Sequence, residues 1–263
     1  MIINYPENAL GQIRTNLQGE IIDFVIRENN LDASVIDFQG DALDSKKYWI
    51  LQGGMCVALS MDWLLRIRQC KPGDRHRLLE NFGNARDMKA NRRRFINLAK
   101  NFVIYFEDAQ KDSSRTNLLK LEKELLEKCI GNSDSHSKKK LDLLTNLSGQ
   151  LKEISRVAEW NYDATYKYRV IKIEVQLTKN GTNQVESKGH RVALYYESDS
   201  VAYLFDPNIG AIRVRKTQEK EISVLIDELL KKVADRTFTD GTFRGYIRNG
   251  EPRFYEVKLT KRG

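Results

Sequence analysis

The spacing of apolar residues changes once along this chain, near residue 166, and that change limits the folds open to it. Ahead of it the spacing is helical. Leu10, Ile13, Leu17, Ile21, Phe24 and Val25 recur every three to four residues and predict a helix over residues 8–30 that ends near Asn29-Asn30. Further helices are predicted over residues 55–69, halted by Lys71-Pro72-Gly73, and 91–109, with Phe95, Leu98, Phe102 and Tyr105-Phe106 on one stripe. Two more follow, over 114–130 (Leu118, Leu121, Leu125, Cys129) and 141–160 (Leu144, Leu147, Leu151, Ile154, Val157-Ala158), separated by an apolar-free, exposed loop at 131–140. Beyond the change, Tyr168 to Leu177 alternates with period two, Asn180-Gly181 signals a turn, and residues 190–196, 201–205 and 211–215 read as strands. A helix over 217–234 and two short strands around 243–246 and 254–258 complete the pattern. Helices first and an antiparallel meander after them give an α+β class.

A length of 263 residues suits one large domain or two small ones, enough to bury a core without a cofactor. The helical part spans about residues 1–165 and the β-rich part about 166–263. The formal charge of +8 and a sequence pI near 9.2 favour acidic partners, which leaves anionic membrane surfaces, nucleic acid and acidic proteins open. Cys56, Cys70 and Cys129 make no disulfide framework, and no Cys-x-x-Cys or His-rich set suggests a metal, so a reducing place of action fits best. The N-terminus lacks a basic and then apolar leader, and no stretch is apolar enough to span a bilayer, so a soluble chain without a Sec-type signal is expected. Gly53-Gly54 is followed by no Lys-Ser/Thr, and no strand leads into Gly-x-Gly-x-x-Gly; nucleotide cofactors are disfavoured.

Cys56 is the candidate nucleophile, because it stands where Gln52-Gly53-Gly54-Met55 gives way to an apolar helix. A free thiol is only about 3% thiolate at pH 7, whereas one at a helix N-terminus beside an imidazolium can be almost wholly ionised. The first-turn amides of such a helix also suit a tetrahedral oxyanion. Downstream, His190 in Gly189-His190-Arg191-Val192-Ala193 supplies an imidazole, and Asp206 in Phe205-Asp206-Pro207-Asn208 supplies a carboxylate at the end of a strand that Pro207 cannot continue. A hairpin would set them on adjacent strands, His190 as general base and Asp206 orienting its ring. Gln52, four residues before the cysteine, is a candidate donor to the oxyanion. Cys70 lies at the wrong end of its helix for an activated thiol, Cys129 is on an apolar stripe, and His76 and His136 sit in polar, basic surroundings without a site role. Arg92-Arg93-Arg94 and Lys138-Lys139-Lys140 read as solvated starts and loops, with an anionic surface as the alternative.

These motifs, Gly-x-Cys opening a helix that carries Leu59, Ser60 and Trp63, His190 to Ala193, and Phe205-Asp206-Pro207-Asn208-x-Gly210, occur in the order Cys, His, Asp. Together they resemble the YopT/AvrPphB-type cysteine proteases, bacterial effectors with a papain-like fold. The resemblance implies one papain-like domain over residues 1–263, with the nucleophile helix packed on an antiparallel sheet and a helical insertion over about 71–160. It also implies a monomeric thiol endopeptidase without cofactor or metal, exported by a type III route and acting on protein substrates in a host cell. Self-processing, known among such proteases, would fall in the loop at 131–140 or not occur. Two other functions stay open. A transglutaminase or deamidase uses the same three residues, and a non-catalytic basic module would bind anionic lipid or nucleic acid with steep salt dependence.

Overall fold

The computed structural model describes residues 2–7, 16–34, 47–52, 54–111, 152–239 and 246–259. The chain divides into two compact units. A helical unit comprises Met1, Thr15–Thr145 and Pro207–Gly210, and a sheet unit comprises Ile2–Arg14, Asn146–Asp206 and Ala211–Gly263. The fold is α+β.

In the helical unit the described helices are α1 (Leu17–Ser34), α2 (Tyr48–Gln52), α3 (Cys56–Gln69), α4 (Arg75–Asn81), α5 (Ala85–Ala90) and α6 (Arg92–Lys111). α6 packs on α1 and α3. Its stripe of Phe95, Leu98, Ala99 and Phe102 is buried, as are Ile21, Phe24 and Val25 of α1 and Leu59, Trp63 and Ile67 of α3. That is the spacing by which one face of a helix is removed from water. α3 is buried almost all round, Asp62 included, and Arg94 answers Asp62 with Nε at 2.6 Å. Arg92 binds Glu28 at 2.6 Å, so Arg92 and Arg94 are both held inside the unit rather than simply solvated. α1 runs on through Asn29-Asn30 to Ser34, past its expected end, because asparagine costs a helix only about 0.7 kcal/mol and no glycine or proline follows.

The sheet unit holds seven described strands in the order β1-β6-β5-β4-β3-β7-β2. These are β1 (Ile3–Tyr5), β2 (Lys152–Ile154), β3 (Tyr168–Lys179), β4 (Val185–Tyr196), β5 (Val201–Asp206), β6 (Gly210–Arg215) and β7 (Tyr246–Leu259), with helix α7 (Ile222–Thr239) before the last. β3 pairs antiparallel with both β4 and β7, and β4 with β5. The sheet is nevertheless mixed rather than wholly antiparallel, since β1 runs parallel to β6. β1 is not joined to β6 by a hairpin, so no turn dictates its direction.

Three further expectations are corrected. Residues 152–160 of the predicted fifth helix form β2 and then a short 3-10 turn, Val157–Trp160, whose Trp160 is fully buried and donates to Asp227 Oδ1 of α7 at 3.3 Å. Of its apolar stripe Ile154 is buried, whereas Val157 and Ala158 are exposed. α7 starts at Ile222 instead of 217, because the Thr217 hydroxyl accepts from Lys220 N at 3.0 Å and closes a turn there. The strand expected around 254–258 is longer, β7 from Tyr246, and in it the pairing jumps from Glu174↔Arg253 to Gln176↔Asn249; Gly250 at φ +70° and the residues after it bulge out, while 243–245 of the strand expected before it lie outside the described residues. The predicted helix over 114–130, the loop at 131–140, residues 141–151 and residues 8–15 lie outside the described residues. No described helix is long and apolar enough to cross a membrane.

The polar centre of the sheet unit is Arg169 on β3, only 1% exposed. Its guanidinium donates to Glu159 O at 2.9 Å, Asn161 O at 2.7 Å and Glu256 Oε2 of β7 at 3.2 Å, and stacks 4.8 Å from the ring of Tyr196. Tyr196 donates to Trp160 O, and burial pushes its hydroxyl well above the usual tyrosine range. With Nε donating to Tyr166 O at 3.3 Å as well, one cation thus satisfies three backbone carbonyls and a buried carboxylate. Arg169→Met should therefore cost about 3 kcal/mol, the lower end for breaking a buried pair, because Lys258 still meets Glu256 at 3.3 Å. Urea unfolding of the two proteins measures this; a loss under 1 kcal/mol would show that the carbonyls and Glu256 find other partners.

Candidate active site

His190 is where β4 passes from exposed to buried: residues 185–189 alternate toward solvent, and everything from His190 to Tyr196 is buried. On the neighbouring strand, Ala193 opposes Phe205 and Leu194 opposes Leu204. One more step in that register sets Val192 opposite Asp206. His190, two residues from Val192, shares its face, which makes His190 and Asp206 diagonal neighbours on adjacent strands. The side chains meet there, with Nε2 of His190 2.9 Å from Oδ1 of Asp206 and the residues 5% and 0% exposed. With Nε2 turned to the carboxylate, Nδ1 is the nitrogen that can exchange a proton with a reacting group. Asp206 ends β5 and Pro207 follows, so the carboxylate sits at the rim of the sheet.

Cys56 is the first residue of α3 and is half-buried. Met55, which precedes it, makes no side-chain capping bond to the helix. The corner ahead of the helix is held differently. Gly54 adopts φ +99°, a conformation closed to most side chains, and its N–H donates to Leu51 O at 2.8 Å. The Met55 N–H donates to Oε1 of Gln18 on α1 at 3.0 Å, and Nε2 of Gln18 donates to Asn208 Oδ1 at 3.2 Å. Leu17 N adds a bond to Asn208 O at 3.3 Å. Gln18 therefore sets the entry to the cysteine helix, and Asn208 of the Asp206-Pro207-Asn208 motif steadies Gln18.

Gln18 is the residue that sequence reasoning missed. It is a glutamine on a helix surface, 37 positions from the peptide it holds, and nothing local distinguishes it from a solvated one. Gln52, the candidate oxyanion donor, closes α2; its side chain is outside the described residues. Cys70 caps the C-terminal end of α3 and is half-buried. His76 is exposed on α4, 3.6 Å from Glu80, while Cys129 and His136 lie outside the described residues. No group of three metal-binding side chains occurs among the described residues.

Residues 23–242, most of the chain, match the model of a peptidase family described as Yersinia/Haemophilus virulence surface antigen, the YopT-type family that the motifs resemble. No curated protein and no solved structure matches.

The corner before Cys56 makes a prediction that needs no substrate. A Cβ on Gly54 would stand 3.0 Å from Nε2 of Gln18 and would sit at positive φ. Gly54→Ala should cost about 1–3 kcal/mol of strain, and Gln18→Ala about 1 kcal/mol for the bond lost at Met55. Because the first change crowds the side chain that the second removes, the double variant should lose less than the sum of the two. Denaturant unfolding of the four proteins gives the coupling, and strict additivity would contradict the contact.

Proposed function

Because the chain belongs to the peptidase family described as Yersinia/Haemophilus virulence surface antigen, we propose that it is a papain-like thiol endopeptidase whose catalytic residues are Cys56, His190 and Asp206. The buried His190–Asp206 pair carries this assignment, since it leaves an oriented imidazole with Nδ1 as its basic nitrogen. The position of Cys56 at the start of α3 adds to it, because first-turn amides favour a thiolate and then an oxyanion.

In the proposed cycle His190 Nδ1 takes the proton from Cys56 Sγ, and the sulfur attacks the peptide carbonyl carbon. The carbonyl π electrons move to oxygen, facing the N–H of Cys56; Gln52 is a second candidate donor. As the tetrahedral species collapses, the C–N bond breaks and the imidazolium protonates the departing amine. The thioester is then opened by water, whose proton passes to His190 and returns to sulfur when the acid product leaves. Throughout, Asp206 accepts from Nε2–H, holding the ring in one tautomer and stabilising it when charged. Gln18 acts one step back, by fixing the Met55 peptide from which Cys56 projects. No metal or cofactor enters these steps. The virulence family fits an exported effector, and action as a monomer on host proteins is part of the same proposal.

Iodoacetamide labelling against pH tests the assignment. Cys56 should alkylate well below pH 7, at least tenfold faster at pH 6 than Cys70, and His190→Ala should abolish that advantage. If Cys56 labels only above about pH 8, or no faster than Cys70, the thiolate is not activated and the assignment fails. On a protein substrate, His190→Ala should lower kcat by about 10²–10⁴-fold. Release of a new N-terminus marks proteolysis, whereas release of ammonia from glutamine would mark a deamidase or transglutaminase with the same residues.

A further inference from the structure

The helical unit contains a cleft that the proposed chemistry does not use. Its volume is about 310 Å³, and its walls come from α3, α4, α5 and the turn ahead of α4. The floor is rigid and polar. Arg66 donates through Nη1 to Asp87 Oδ2 at 2.8 Å and makes a second bond to Oδ1, with its guanidinium 5.0 Å from the ring of Phe82. Asp87 also receives Gly83 N and Asn91 Nδ2, both at 2.9 Å, so its oxygens are fully used and it stays where it is.

Above this floor stand Arg77 and Arg86, both exposed and neither ion-paired with any described residue. Asn81, Asn84, Leu78, Ala90 and Asp74 complete the lining. Arg66 is cancelled by Asp87, and Asp74 opposes one of the two rim arginines, so the lining carries one net positive charge. That balance suits single carboxylates. A phosphate dianion would exceed it and would face Asp87 across the floor. The volume lies at the small end of the roughly 300–1,000 Å³ typical of ligand sites. Asn81 and Asn84 bond to each other, to Arg77 O and to Asp87 N, which fixes the wall and leaves Arg77 and Arg86 as the groups that meet a bound carboxylate.

We propose that this cleft binds an acidic segment of polypeptide and serves the enzyme as an exosite for its protein substrate; the second half of the statement rests on the assignment of Cys56 as nucleophile. The distances agree with that use. Arg66 follows Cys56 by ten residues on one helix, about 15 Å along its axis at 1.5 Å per residue. An extended chain covers that span in about five residues at roughly 3.3 Å each. Acidic residues near that distance from the scissile bond would be preferred, in keeping with the charge of +8 on the chain.

The test is fluorescence anisotropy of a labelled, capped peptide of alternating Glu and Ala on the full chain carrying Cys56→Ala, with a Gln-for-Glu peptide and inorganic phosphate as comparisons. The acidic peptide should bind, and Arg77→Ala/Arg86→Ala should weaken it at least fivefold without moving the unfolding midpoint. Asp74→Asn should tighten it severalfold, while Arg253→Ala, an exposed arginine on β7, should leave it unchanged. Equal binding by the double variant, or equal binding of the Gln peptide, overturns the proposal. Displacement by phosphate at a concentration equal to that of the peptide does so too, and would make the cleft a phosphate site. Because the bound protein lacks the thiol, these outcomes are independent of the alkylation profile: slow alkylation of Cys56 removes the exosite role and leaves the binding result standing.

Discussion

The pairing of β4 with β5 is the constraint on which the candidate site depends. Side chains alternate across a strand, so a slip of one residue would turn His190 and Asp206 to opposite faces and end their contact. The register is enforced by what lies beside them. Ala193, Leu194, Phe205 and Leu204 are buried on both faces of the pairing, and any slip would exchange side chains between two packed faces and undo the fit of each. On the far side of β4, β3 matches it over eleven consecutive pairs, from Tyr168↔Tyr195 to Thr178↔Val185. A hydrogen bond of 2.9 Å is thus held by strand pairing and packing that take no part in chemistry.

The helical unit solves a different problem. The entry to a helix has to be fixed, and a side-chain cap is the usual means. Here the capping residue contributes no side-chain bond, and the peptide ahead of the cysteine is instead fixed from a separate helix by Gln18. Gly54 makes the approach possible, since it alone tolerates φ +99° with an amide 3.0 Å from its missing Cβ. The consequence is a cysteine whose preceding peptide is fixed on both sides of the corner.

Much of this was legible in the sequence because it is local. The start of α3 at Cys56 follows from a glycine pair meeting an apolar run, and its end from Lys71-Pro72. The stripe Phe95, Leu98, Phe102 locates α6 to within two residues. His190 and Asp206 could be expected on neighbouring strands because a hairpin is the shortest route between them. Other features were hidden for physical reasons. β1 and β2 are three residues each, too short to show a period, and exist because longer strands offer them an edge. Residues 152–160 repeat apolar groups at helical spacing, yet the pairing of β2 with β7 and the seat of Trp160 beside α7 outweigh local propensity. Gln18 and Arg169 announce themselves by no motif; each is recognisable only by what it touches.

The sequence by itself determined the α+β class, the order Cys56, His190, Asp206, and a family membership that spans most of the chain. These rest on chain-local signals: periodicity, turn residues, and short motifs whose members are neighbours along the backbone. Tertiary structure alone decided the parallel placement of β1, the bond between His190 and Asp206, the clamp of Gln18 on Met55, and the cleft between Arg66, Arg77 and Arg86. Each joins residues distant in sequence, and such pairs are selected by burial and hydrogen-bond satisfaction summed over a whole unit, which no window of the chain contains.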